Sequence, residues 1–200
     1  MPVREPATDG RAARALRTRR AIVDALLSLV EEGDLAPTAP RIARRASVSL
    51  RSIYQHFEDL EALFAAASAR QFERILDLAS PLPTEGPLGE RLDAFVRQRA
   101  RVLEALTPVR RAAYVQEPFS AEIREGRRRM EAMARTEVER TFEVELRRLP
   151  ANERRDVLAG LDAAASWGAW ETMRTSGLSV EAARRALRRV LAAVLGEERP

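Results

Sequence analysis

The sequence predicts an all-α fold of about nine helices, and three observations carry that expectation. Apolar residues recur at spacings of three and four along nearly the whole chain, the period of a helix with one buried face. No segment shows the strict apolar–polar alternation of a half-buried strand, and no internal repeat is present. Proline and glycine gather at a few points, above all in SPLPTEGPLGE at residues 80–90, which reads as the clearest loop.

Residues 1–17 contain Pro2, Pro6 and Gly10 and read as a flexible arginine-bearing arm that turns helical between Arg11 and Thr18. Arginines on such an arm suit a minor groove. Helix 1 places Ile22, Ala25, Leu26, Leu29 and Val30 on one face and ends near Gly33. Thr38 is the expected cap of a second helix that tolerates Pro40 in its first turn and turns Ile42, Ala43 and Ala46 inward. Ser47-Val48 makes a turn. Ser49 caps a third helix in which Ile53 and Phe57, four apart, point inward while Leu50, Arg51, Tyr54 and Gln55 look out. A fourth helix starts with Asp59 as cap, carries Leu60, Leu63, Phe64, Ala67, Phe72, Ile75 and Leu76, and is stopped by Pro81 and Pro83.

Beyond the loop, a helix over 88–106 carries Leu92, Phe95, Val96, Val102 and Leu103 and is expected to end at Pro108. A short helix over 109–115 and a long one over 120–149 follow, the latter with Met130, Ala134, Val138, Phe142 and Leu146 every four residues. After Pro150, one helix over 153–176 stops at Gly177, and a last one capped by Ser179 shows Val180, Ala183, Leu187, Val190, Leu191 and Val194.

Composition narrows the function. The chain has 200 residues, 34 basic and 30 acidic, and every basic residue is arginine. Residues 1–56 hold ten arginines against six acids, while residues 57–200 hold 24 of each, so the whole positive excess lies in the amino-terminal part. Without cysteine there is neither a disulfide framework nor a thiolate metal site, and a single histidine argues against zinc; no metal and no cofactor is expected. No apolar run approaches the roughly 20 residues of a membrane span, and the amino terminus lacks a signal-peptide core, so a soluble, cytoplasmic protein with no membrane partner is expected. An enzyme is not expected: the only histidine, His56, has no Glu three residues before it for a metal-carboxylate bundle, and no nucleophile elbow or phosphate-cradling glycine loop is present.

Residues 38–57 form two short helical patterns around a tight turn with cations on exposed positions, the layout of a DNA-reading helix-turn-helix. The stretch TRRAIVDALLSLVEEGDLAPTAPRIARRASVSLRSIYQHFEDLEAL, Thr18 to Leu63, resembles the DNA-binding domain of the TetR family of transcriptional regulators. It matches in order: a Gly near the end of helix 1, Thr opening helix 2, Ala-Ser-Val-Ser at the turn, Ile-Tyr-x-His-Phe closing helix 3 and Glu-Ala-Leu opening helix 4. Residues 161–195 are similar to the last two helices of many members. There are three departures. Ser47 stands where Gly is common, so a left-handed turn there costs about 1 kcal/mol. Arg51 replaces a small residue on the reading helix, and Leu60 replaces a Lys that usually meets a phosphate.

The resemblance implies a helix-turn-helix DNA-binding domain over 18–58 behind the arm of 1–17, and a helical effector-binding and dimerisation domain over 59–200. It implies a homodimeric repressor on a palindromic duplex operator, released by an unidentified small molecule; activation, or a helical protein-interaction module, stays open as an alternative. Leu50 and Arg51 are placed at base edges, Thr38, Tyr54 and His56 at phosphates, and Ser49, Ser52 and Gln55 beside them, while Arg44 and Arg45 add sequence-blind attraction together with Arg17, Arg19 and Arg20. The dimer surface is expected from Ala165, Gly168, Ala169, Leu187, Val190, Leu191 and Val194. Aromatic and methionine side chains at Phe95, Tyr114, Phe119, Met130, Met133, Phe142, Trp167 and Trp170 are available to line an effector pocket.

Overall fold

The computed structural model describes residues 8–196. Among them lie ten α-helices, one 3-10 turn and no strand. In chain order they are α1 (Thr8–Glu31), α2 (Ala39–Arg45), α3 (Leu50–His56), α4 (Leu60–Leu78), α5 (Leu88–Gln116), the 3-10 turn (Glu117–Phe119), α6 (Ala121–Thr141), α7 (Glu143–Arg147), α8 (Ala151–Ala164), α9 (Trp167–Thr175) and α10 (Val180–Val194). They form two compact units, residues 8–73 with 108–124, and residues 74–107 with 125–196.

The first unit is built on the apolar face of α1. Ile22, Leu26, Leu27 and Val30 meet Ile42 of α2, Ile53 of α3 and Leu63 and Phe64 of α4 in one cluster. Of the residues expected inward on these four helices most are nearly fully buried, while Ala46, Leu60 and Phe72 are half-buried and Leu76 is exposed. The expected boundary at 58/59 does not match how the contacts divide. Val109 and Ala112 of α5 and Ile123 of α6 belong to the same cluster, so the unit is closed by a segment from much later in the chain. Residues 8–17, expected in the arm, are the first turns of α1: Ala, Arg and Leu are strong helix formers, and Gly10 sits in the opening turn, where it costs least. Residues 1–7 of the expected arm lie outside the described residues.

The second unit has its own core. Leu92, Phe95, Val138, Phe142, Leu158, Leu161, Trp170, Ala183, Leu187 and Leu191 are buried together, with Phe95 and Phe142 edge to face at 5.2 Å. Two buried arginines thread it. Arg91 donates to the Gly86 and Thr141 carbonyls and to both oxygens of the Glu145 carboxylate. Arg99 lies 4.8 Å over the Phe95 ring and donates to the Ala134 and Ala165 carbonyls and to Glu137. With both guanidinium groups satisfied in this way, their burial is tolerable.

Three expected helix limits are corrected. Pro108 does not end α5, although it deprives the Glu104 carbonyl of its helical donor; burial of Leu103, Val109 and Ala112 around it outweighs a local cost of about 3 kcal/mol. The long helix is interrupted at Phe142, whose φ of −113° and ψ of 23° leave the helical region. Arg91 stabilises that break by taking the Thr141 carbonyl at 2.7 Å. The helix expected over 153–176 divides at Ser166, whose extended backbone and hydroxyl, accepting from the Ala169 N–H at 3.2 Å, open α9. No described helix is long and apolar enough to cross a membrane.

Candidate nucleic-acid interface

The turn between α2 and α3 is set by Ser47, the one described non-glycine residue with positive φ, at 55°. Its neighbours do what their chemistry requires. Ser49 has extended backbone, and its hydroxyl accepts from the Ser52 N–H at 3.1 Å, capping α3. Asp59 caps α4 by accepting from the Ala62 N–H at 2.8 Å. Thr38 occupies the cap position of α2 but makes no side-chain cap bond. The reason lies in Pro40, which has no N–H, while the Arg41 N–H is taken by the Thr38 backbone carbonyl at 2.9 Å. The Thr38 hydroxyl is thereby left for an outside acceptor.

Ile53 and Phe57 anchor the inner face of α3 at 0% and 3% exposure, which turns Leu50, Arg51, Tyr54 and Gln55 outward. Leu50 and Tyr54, large and partly apolar, are 44% and 53% exposed. Arg44 on α2 and Thr38 are exposed as well, while Ser52 and His56 are half-buried. Neither Arg44 nor Arg51 has a hydrogen-bond or ion-pair partner among the described residues.

Two arginines expected to attract phosphate are instead internal braces. Arg45 grips both oxygens of the Glu32 carboxylate at 2.6 Å and donates to the Ser28 hydroxyl, tying α2 to α1. That hydrogen bond holds the Glu32 carboxyl below its ordinary range and the Arg45 guanidinium above its own. Arg19 donates to the His56 carbonyl at 2.7 Å and covers the Phe57 ring, fixing the end of α3 against α1. A further pair, Arg41 with Asp34 at 3.0 Å, steadies the loop before α2, where Asp34 also accepts from the Ala36 N–H. Sequence patterning does not reveal these partners, because none follows a helical period.

Residues 22–67 match the family model described as bacterial regulatory proteins, tetR family. That segment runs from within α1 into α4 and is similar to the DNA-binding region of the family. The HTH-type transcriptional repressor KstR of Rhodococcus jostii (strain RHA1) is 35% identical over 81 residues, a stretch covering 40% of this chain and 38% of that repressor. A transcriptional regulator from Rhodococcus sp. Rha1 shares the fold with a TM-score of 0.68 at 22% identity, covering 93% of this chain and 99% of the other. A tetR-family transcriptional regulator from Streptomyces coelicolor does so with a TM-score of 0.71 at 18% identity, covering 89% and 80%.

The residues expected to line one effector pocket are not brought together. Phe95, Phe142 and Trp170 are fully buried core side chains of the second unit. Met130 and Trp167 are half-buried, and Trp167 donates from its indole N–H to the Thr107 hydroxyl. Tyr114 and Met133 are exposed. Only Phe119 of the eight borders the larger cavity, about 330 Å³, which lies within the first unit between the starts of α2 and α4 and the 3-10 turn. The expected dimer surface also divides. Ala165, Leu187 and Leu191 are buried in the second unit's own core, because Ala183, Leu187 and Leu191 recur every four residues on the inner face of α10. Gly168 and Val190 are exposed, and Ala169 and Val194 are partly so.

Proposed function

We propose that this chain is a sequence-specific, DNA-binding transcriptional regulator that acts without catalysis, as a homodimeric repressor. One observation carries the reading: an outward row of Leu50, Arg51, Tyr54 and Gln55 stands on a helix anchored from behind and braced at both ends. Such a helix enters a major groove with its base-reading side chains preorganised. Arg51 is suited to grip a guanine through its fork, and Leu50 to meet a thymine methyl. Thr38, Tyr54 and His56 hold phosphates, with the Ser49 and Ser52 hydroxyls and Gln55 beside them, and Arg44 adds sequence-independent attraction. Arg45 and Arg19 serve the head's rigidity instead.

A single seven-residue helix covers too few base pairs to select an operator, so two heads act together on a palindrome. The exposed Gly168 and Val190, with Ala169 and Val194, are the part of the expected surface left for the partner copy. Release by a small effector is part of the same reading and is supported by likeness to the family alone. The test is selection from random duplex DNA at physiological salt, followed by sequencing of the retained pool. A palindromic motif is expected; an unenriched pool from folded, dimeric protein would assign the head to a protein partner instead.

A further inference from the structure

The first unit's larger cavity has apolar walls from Pro37, Leu60, Phe64 and Ile123, and Glu61 is the one ionisable residue in its lining. At its rim stands Phe119, 82% exposed. The turn that carries this ring is firmly held. Arg110 donates to the Glu117 carboxylate at 2.8 Å, Arg124 donates to the Glu117 and Pro118 carbonyls at 2.8 and 3.2 Å, and the Ser120 hydroxyl accepts from the Ile123 N–H at 3.2 Å. An aromatic ring exposed to water beside an apolar cavity, on a turn whose backbone is secured by polar bonds, is suited to contact something absent from the chain itself.

The polar groups around the cavity are equally unspent. Among the described residues, the Glu61 carboxylate, the Gln116 amide and the Thr38 hydroxyl have no hydrogen-bond or ion-pair partner. Glu61 is not needed as the cap of α4, since Asp59 fills that role. An apolar cavity with a few convergent polar groups is the usual form of a small-molecule site, and 330 Å³ stands at the small end of that range. The single carboxylate decides the sign of the ligand's charge.

We propose that this cavity binds a small organic cation, its protonated amine on Glu61 and its aromatic or alkyl body between Phe64 and Phe119. Occupancy needs no DNA, so the test is run without it. The fluorescent amine monodansylcadaverine and its uncharged N-acetyl derivative are titrated into the full chain. One saturable site per chain is expected, with the acetylated form about fivefold weaker or worse, as suits an ion pair at a solvated rim. Glu61→Gln is expected to abolish the difference between the two, and Phe119→Ala to weaken both. Each position is exposed, so both variants should keep the parent's circular dichroism and melting temperature. Absence of saturable binding below about 1 mM, equal binding of the two forms, or a preference that survives in Glu61→Gln would each overturn the assignment.

Discussion

The guanidinium of Arg19 donates to the backbone carbonyl of His56 at 2.7 Å, across 37 residues of sequence, and lies 4.1 Å from the centre of the neighbouring Phe57 ring. A cation that sequence alone offers to phosphate is thus spent on holding the reading helix. Arg19→Ala is expected to cost about 1 kcal/mol of stability, combining one charged hydrogen bond and an exposed cation–π contact. It should weaken operator binding while leaving the salt dependence unchanged. Arg44→Ala, by contrast, should flatten the slope of log affinity against log salt by about 0.9. Affinities at a series of salt concentrations separate the two, and an equal loss of slope at both positions would put Arg19 on a phosphate.

Ser47 holds a φ of 55° in the turn that sets the angle between α2 and α3. A side chain there crowds the backbone, and branching at Cβ makes this worse. Ser47→Gly is expected to raise stability by about 0.5 kcal/mol, the relief being partly offset by the greater entropy of glycine in the unfolded chain. Ser47→Val should lower it by about 2 kcal/mol. Denaturant midpoints test both; a valine variant as stable as the parent would show that the turn does not need this conformation.

The ion pair of buried Arg91 with half-buried Glu145 is expected to make the second unit acid-sensitive. Burial pushes the Glu145 carboxyl upward, but the hydrogen bond from Arg91, aided by its charge, carries the net direction below the ordinary 4.5. A carboxyl depressed by folding contributes stability that is present above its unfolded value and lost as pH falls through its folded one. The parent should therefore exceed Glu145→Gln in melting temperature at pH 7, with the gap closing below about pH 4.5. A gap that stays constant down to about pH 3 would show that the pair does not govern acid stability.

Two neighbours on α10 should behave oppositely. Leu187 is 1% exposed and Val190 is 47% exposed. Leu187→Ala removes core packing and should cost about 2–5 kcal/mol of folding stability. Val190→Glu should leave the protomer's fold intact and weaken self-association by placing a charge in the proposed interface. Sedimentation velocity with circular dichroism reads both, and a Val190→Glu variant that dimerises like the parent would move the interface elsewhere.

What was legible in the chain is what short-range physics determines. The Ser49 and Asp59 caps, the inward Ile53 and Phe57 and the strained Ser47 all depend on residues within one or two turns, and the head follows from them. The rest depends on partners far away in sequence. The break at Phe142 is secured by Arg91, 50 residues before the carbonyl it takes, and the head is closed by Val109 and Ile123, whose apolar spacing is no different from that of residues in the other core. Aromatic content likewise cannot separate Phe95, which is fully buried, from Phe119, which is 82% exposed. Helical period tells which face is apolar, not which cluster will cover it.

Arg51 provides the sharpest test of the reading surface. It is exposed on α3, has no partner among the described residues, and follows Leu50 at the amino-terminal end of the helix, the end that usually meets base edges. A guanidinium gripping the O6 and N7 of one guanine discriminates by about 1–3 kcal/mol against other bases at that position and is indifferent elsewhere. Arg51→Ala should therefore relax the selected motif at a single position in each half-site while the remaining positions keep their preference. Repeating the random-duplex selection with the variant measures this directly. Uniform weakening on every sequence, with a shallower salt dependence, would make Arg51 a phosphate contact and leave base reading to Leu50, Tyr54 and Gln55.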